Sequence, residues 1–160
     1  MKRILVPVDF SFESELALKW AVRLAKEDPI STLYLLHVVP YPAIVPQTAF
    51  VDVDEMIARD WEEARKRLEE LRRTIPPPLH SVVLRAKGNL LTEIQSVCEA
   101  ESVDILVIAT HGRRGLSRLL HPNFTEEVVR TLACPVLVLH ANDRTLAEAD
   151  AEVPAAVSLG

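Results

Sequence analysis

Glycine and cysteine are scarce in this chain: four glycines and two cysteines occur in 160 residues, and aromatic residues make up 5%. The glycines are too few and wrongly spaced for the common phosphate cradles. No Gly-x-x-x-x-Gly-Lys-Ser/Thr occurs, so there is no P-loop, and no Gly-x-Gly-x-x-Gly follows the first apolar run, which disfavours an ordinary dinucleotide site. Cys98 and Cys134 form no Cys-x-x-Cys and have no histidine at zinc spacing. They read as buried free thiols rather than as a disulfide frame or metal ligands. The five histidines and the acids show no metal-binding spacing either. Positive charge is not in excess: 18 Lys+Arg stand against 23 Asp+Glu, a formal net charge of −5. Such a chain is a poor partner for nucleic acid, where affinity rests on neutralised phosphates. No apolar run approaches the roughly 18 residues of a membrane span, and the N-terminal run is too short for a signal peptide. The expectation is a cytoplasmic protein with neither a membrane nor a nucleic-acid partner.

What is present is an alternation of two patterns. Ile4-Leu5-Val6-Pro7-Val8, Ile105-Leu106-Val107-Ile108-Ala109 and Val136-Leu137-Val138-Leu139 are short apolar runs with no polar alternation. Strands buried on both faces read this way, as in a parallel sheet covered by helices. Leu33–Val38 and Ser81–Arg85 are two further strand candidates. Helical spacing fills the gaps. Ser11 is placed to cap a helix carrying Leu16, Trp20 and Leu24. Ile57, Trp61, Ala64, Leu68 and Leu71 form one apolar stripe, with Glu62–Lys66, Glu63–Arg67 and Glu69–Arg73 at i,i+4 on the opposite face. Pro76-Pro77-Pro78 stops that helix. A third helix starts near Asn89, and a fourth carries Phe124, Val128 and Leu132. The order β-α-β-α-β-α-β-α-β predicts one α/β domain: a three-layer sandwich whose five-stranded parallel sheet has helices on both faces. Residues 40–52, with Pro40, Pro42 and Pro46, read as a long loop suited to a lid or an interface. Residues 141–160 read as an Ala-rich acidic tail beyond a domain at 1–140.

In such a fold, ligands bind beyond the carboxyl ends of the strands, where strand order reverses. Asp9 lies at the tip of the first strand, either as a turn or helix-capping acid or as a ligand contact. His37 near the end of the second reads first as a packed histidine. The fourth strand runs into Ala109-Thr110-His111-Gly112-Arg113-Arg114-Gly115, which holds two of the four glycines and two arginines. That segment is either a loop whose N–H groups approach an anion or a solvated basic loop. No Gly-x-Ser-x-Gly elbow is present, and Ser117 lies in a loop. The acid pair and acceptor Asp of a response regulator are missing too. No catalytic residue is assigned, because nucleophile, base and orienting group do not occur together.

Ile4–Ser11, Leu35–Val39, Asp104–Leu120 and the closing Cys134–Leu139 together resemble the universal stress protein family, over residues 2–140. The resemblance implies a Rossmann-like, adenine nucleotide alpha hydrolase-like sheet and a homodimer, often paired through the last strand, here residues 136–140. It also implies a role in stress response. Many members bind ATP, through Gly-x-x-Gly, nine residues, then Gly-Ser or Gly-Thr. Laid on this chain, Ala109 replaces the first glycine, Gly112 is kept, and Pro122-Asn123 replaces the final pair. The implied site for ATP or AMP, with magnesium only alongside bound nucleotide, comprises Pro7, Val8, Asp9, Val38, Ile108, Ala109, His111, Gly112, Arg113, Gly115, Pro122, Asn123 and Phe124.

Ala109 adds a tolerable methyl. Pro122 removes a backbone N–H that a phosphate oxygen would use and fixes φ, while Asn123 can still donate. Two functions follow: a nucleotide-binding stress module with an altered phosphate loop, or a dimeric interaction protein of the same fold that takes no nucleotide. Any ATP hydrolysis would be slow at most. Each lost hydrogen bond to a charged oxygen costs about 1.5–3 kcal/mol, or roughly 10- to 150-fold in affinity. Pro122→Gly with Asn123→Ser is therefore expected to tighten ATP binding by at least about tenfold in a calorimetric titration; an unchanged Kd shows that Pro122 is not the defect.

Overall fold

The computed structural model describes residues 1–40, 53–111 and 123–142. Residues 41–52 of the expected 40–52 loop, the Gly112–Pro122 segment and residues 143–160 of the expected tail lie outside the described residues. The elements run β1 (Arg3–Pro7), α1 (Phe12–Lys26), β2 (Thr32–Val39), α2 (Val53–Arg73), β3 (His80–Lys87), α3 (Leu90–Ala100), β4 (Ile105–His111), α4 (Phe124–Thr131) and β5 (Val136–Ala141). All the pairings are parallel, in one five-stranded sheet of order β3-β2-β1-β4-β5. The expected α/β sandwich is what forms.

Alternate side chains of the central strands feed two cores, as a sheet buried on both faces requires. Ile4, Val6, Leu33, Leu35 and Val107 pack under Ala17, Leu18 and Ala21 of α1 and Leu68 of α2. Leu5, Leu36, Val38, Leu106 and Ile108 pack under Ile94 of α3 and Phe124 and Val128 of α4. The small residues of α1 let that helix lie close over the centre of the sheet. Ser11 caps α1, its side chain accepting from the Ser14 N–H at 3.2 Å. Asn89 caps α3, accepting from the Thr92 N–H at 3.1 Å.

Strand order reverses between β1 and β4. Here the ladder is brief: Ile4 faces Ile105 and Leu5 faces Leu106. Pro7 has no N–H with which to extend it. The carboxyl ends of β1 and β4 thus part where a ligand crevice belongs in this class of sheet.

Two expectations are corrected. On α2, Glu62 and Glu69 take arginines one turn on at i,i+3, Arg65 at 2.7 Å and Arg72 at 2.5 Å, instead of Lys66 and Arg73. For Glu62 the Arg65 fork reaches the carboxylate bidentately, which Lys66 cannot do. Only Glu63–Arg67 keeps the expected spacing, at 3.9 Å. Cys98 and Cys134, expected to be buried, are half-buried and lie against each other. Sequence distance hid this: α3 and the segment entering β5 meet only because both lie on the same face of the sheet.

Ile94 is fully buried at the centre of the second core. Ile94→Ala is expected to cost about 2–5 kcal/mol in equilibrium urea unfolding. Val82→Ala, at a 39% exposed position of edge strand β3, is expected to stay within about 0.5 kcal/mol of the parent.

Candidate functional site

A cavity of about 300 Å³ opens beyond the carboxyl ends of β1 and β2 and against α2. Asp9 and Phe10 enter it from the β1–α1 turn, His37 and Val38 from β2, Pro40 from the strand's exit, and Asp60, Glu63, Ala64 and Arg67 from α2.

The β1–α1 turn is tightly built. The Asp9 Oδ1 accepts the Ser11 N–H at 3.0 Å and also the Ser11 hydroxyl. Asp9 is therefore the turn acid, as one reading of the sequence has it, and it also lines the cavity. Phe10 sits at φ 62°, a left-handed conformation that costs a residue with a Cβ about 1–2 kcal/mol. Contacts made by its ring offset that strain. The His37 ring lies 4.7 Å away, centroid to centroid, and the Arg67 guanidinium stands over the Phe10 ring, 4.1 Å from its centroid. Cation–π attraction of this kind is worth about 0.5–2 kcal/mol.

His37 ties β2 to β1. Its Nδ1 lies 2.6 Å from the Val8 carbonyl oxygen. That oxygen only accepts, so Nδ1 carries the proton and, in the neutral ring, Nε2 is an acceptor. The Val8 N–H donates to the Leu36 carbonyl at 2.7 Å. Val8 is thereby clamped through both its backbone groups. Burial pushes the His37 pKa below its usual 6.5, against the opposing effects of the Val8 bond and Asp9.

Among the other expected site residues, Pro7 ends β1 and Val8 is buried beside it. Ile108 and Ala109 have buried side chains on opposite faces of β4, which leaves their backbone to meet a ligand. His111 ends β4. Asn123 is the N-cap of α4 without a side-chain capping bond. The Phe124 side chain is core, so any ligand contact there falls to its backbone. Gly112, Arg113, Gly115 and Pro122 lie outside the described residues. Sequence reasoning missed Phe10, Asp60, Glu63 and Arg67 as cavity residues. On sequence alone α2's charges are one solvated face, and only the helix's placement over β2 turns some of them inward. Among the described residues no group of three His, Cys, Asp or Glu could hold a metal ion, and no helix is long and apolar enough to cross a membrane.

The profile of the universal stress protein family matches residues 1–140. The chain belongs to that family. It is 32% identical to the universal stress protein A homolog of Haemophilus influenzae, over 89% of this chain and 98% of that one. It is 29% identical to the universal stress protein MJ0577 of Methanocaldococcus jannaschii, over 86% of this chain and 94% of that one. A solved structure of MJ0577 superimposes with a TM-score of 0.73, covering 89% of this chain and 97% of that one. A universal stress protein family protein of Arabidopsis thaliana, solved with AMP bound, shares the fold at a TM-score of 0.60 and 18% identity, covering 90% of this chain and 94% of that one.

A base whose pKa falls on folding binds fewer protons in the folded state, so its neutral form stabilises the fold most above 6.5 and less as pH drops below that value. His37→Asn keeps an N–H for Val8 and removes the titration. The parent universal stress protein is expected to lose urea midpoint between pH 7 and pH 5.5 (roughly the range around a histidine pKa), and His37→Asn to lose less. Parallel pH profiles would assign the loss to other groups.

Proposed function

We propose that this universal stress protein binds an adenine nucleotide, AMP or ATP, with the nucleoside in the cavity between Asp9 and Val38. The observation that carries the reading is that cavity, beside the strand-order reversal and formed by two residues at the family's nucleoside positions. Its volume of about 300 Å³ stands at the lower bound of ligand sites. It suits a nucleoside, with the phosphates outside it, where Gly112, Arg113 and Gly115 are proposed to contact them together with the first turn of α4. The backbone of Asn123 and Phe124 offers N–H groups there, at the positive end of the helix dipole. Asp9 accepts ribose hydroxyls and Val38 offers its backbone to the base edge, while Pro7, Val8, Ile108, Ala109 and His111, also expected at the site, lie at the carboxyl ends of β1 and β4 beside the cavity. Magnesium enters only with nucleotide. The AMP carried by the Arabidopsis family member is consistent with this choice of ligand.

The protein acts as a nucleotide-responsive module of the cytoplasmic stress response and not as an enzyme. The domain is placed at 1–140 and the appended tail at 141–160, with Ala141 itself the last residue of β5. It functions as a homodimer through residues 136–140. Edge strand β5 supports this: Val136, Leu137 and Val138 are half-buried with one side of the strand unpaired in the sheet order. The Pro122 departure favours the second reading, a dimeric interaction protein that binds no nucleotide.

Calorimetric titration separates the two. AMP is expected to bind, and Asp9→Ala to raise Kd about 10- to 150-fold, measured well below the variant's melting temperature because Asp9 also holds the α1 turn. Millimolar AMP or ATP with magnesium giving no heat and no thermal shift, in a protein that sizes as a dimer, establishes the interaction-protein reading. Equal affinity in Asp9→Ala places the nucleotide elsewhere.

A further inference from the structure

On the sheet face away from the nucleoside cavity, α3 and the segment entering β5 border a second cleft, of about 560 Å³. Cys98 on α3 and Cys134 in that segment both line it, together with Gln95, Glu99, Thr131 and Pro135. Their Sγ atoms are 3.7 Å apart, both residues are half-buried, and both thiols are free. Nothing in the nucleotide reading uses them.

We propose that Cys98 and Cys134 form a reversible dithiol site whose substrate is a small hydroperoxide, which oxidises the pair to an intramolecular disulfide. A disulfide needs sulfurs at about 2.05 Å, so closure requires about 1.7 Å of approach from the present 3.7 Å. Cys98 is held on a helix, but Cys134 lies between the end of α4 and the start of β5, in irregular backbone that can supply the movement. The cleft gives a small oxidant a route to both sulfurs.

The two thiols have different tasks. Burial, then the neighbouring Cys134 sulfur and Glu99, push the Cys98 thiol up to about 12. Cys98 therefore keeps its proton, and the attack is assigned to Cys134, whose sulfur lines the same cleft 3.7 Å away. The Cys134 thiolate attacks the terminal peroxide oxygen. An S–O bond forms, the O–O bond breaks, and the departing alkoxide takes a proton to leave as alcohol (water, for hydrogen peroxide). Cys98 sulfur then attacks the Cys134 sulfenic acid. The S–S bond forms, the S–O bond breaks, and hydroxide leaves as water with the Cys98 proton. Two thiols give up two electrons and the peroxide accepts them. A dithiol reductant restores the pair by exchange.

The test treats the full-length reduced protein with a small excess of hydrogen peroxide. Both thiols are expected to disappear together, with the mass falling by two hydrogen atoms. A proteolytic fragment should then hold Cys98 linked to Cys134, and dithiothreitol should reverse the change. In Cys98→Ser, Cys134 is expected to remain reactive and to yield a sulfenic acid trapped by a 1,3-diketone. In Cys134→Ser, Cys98 is expected to react at least about tenfold more slowly. Oxygen added to either cysteine of the parent without a cross-link, or linkage between two chains, overturns the proposal. Trapping on Cys98 in Cys134→Ser at the parental rate overturns the order of attack.

Discussion

A sheet whose five strands all run the same way must return every connection across one of its faces. The rest of this molecule follows from that constraint. Both faces need cover, so the strands β1, β2 and β4 are apolar along nearly their whole length and their alternate side chains supply two separate cores. α1 and α2 cover one and α3 and α4 the other. The change of face occurs where β3 connects to β4, on the far side of β1. All loops that follow a strand then gather at one end of the sheet, and the reversal opens a crevice among them.

The cavity beyond β1 and β2 lies beside that crevice and is built from few parts. The main-chain clamp on Val8, from Leu36 and from the His37 ring, fixes where the chain leaves β1. Ser11 holds Asp9 in the turn that follows, while capping α1. Phe10 adopts its left-handed conformation between them, braced by contacts with His37 and Arg67. Helix, strand and turn therefore depend on one another around a single residue. The same groups that start α1 form the wall on which the proposed ligand rests.

Sequence made the fold legible for a physical reason: strands buried on both faces cannot hide their composition. β1, β4 and β5 stand out as apolar runs, and Ser11 and Asn89 announce their helices by cap chemistry. β3 is legible only over Ser81–Arg85 of His80–Lys87, because its half-exposed pattern lacks the continuous apolar run that marks a strand buried on both faces. Asp9 and Val38 were legible through resemblance and position. Arg67 was not, since one charge on an amphipathic helix looks like any other until the helix is laid on the sheet. The Cys98–Cys134 contact was invisible for the same reason: it belongs to the packing of α3 beside α4's exit, not to any local pattern.

The central claim is that the space between Asp9 and Val38 is where an adenine nucleotide sits. Amide chemical-shift mapping of the isotope-labelled protein during titration with AMP tests it most directly. The account predicts saturable shifts clustered at Asp9, Phe10, His37, Val38, Gly112 and the start of α4 at Asn123 and Phe124. Saturable shifts confined to another surface, or none at millimolar AMP, would contradict it.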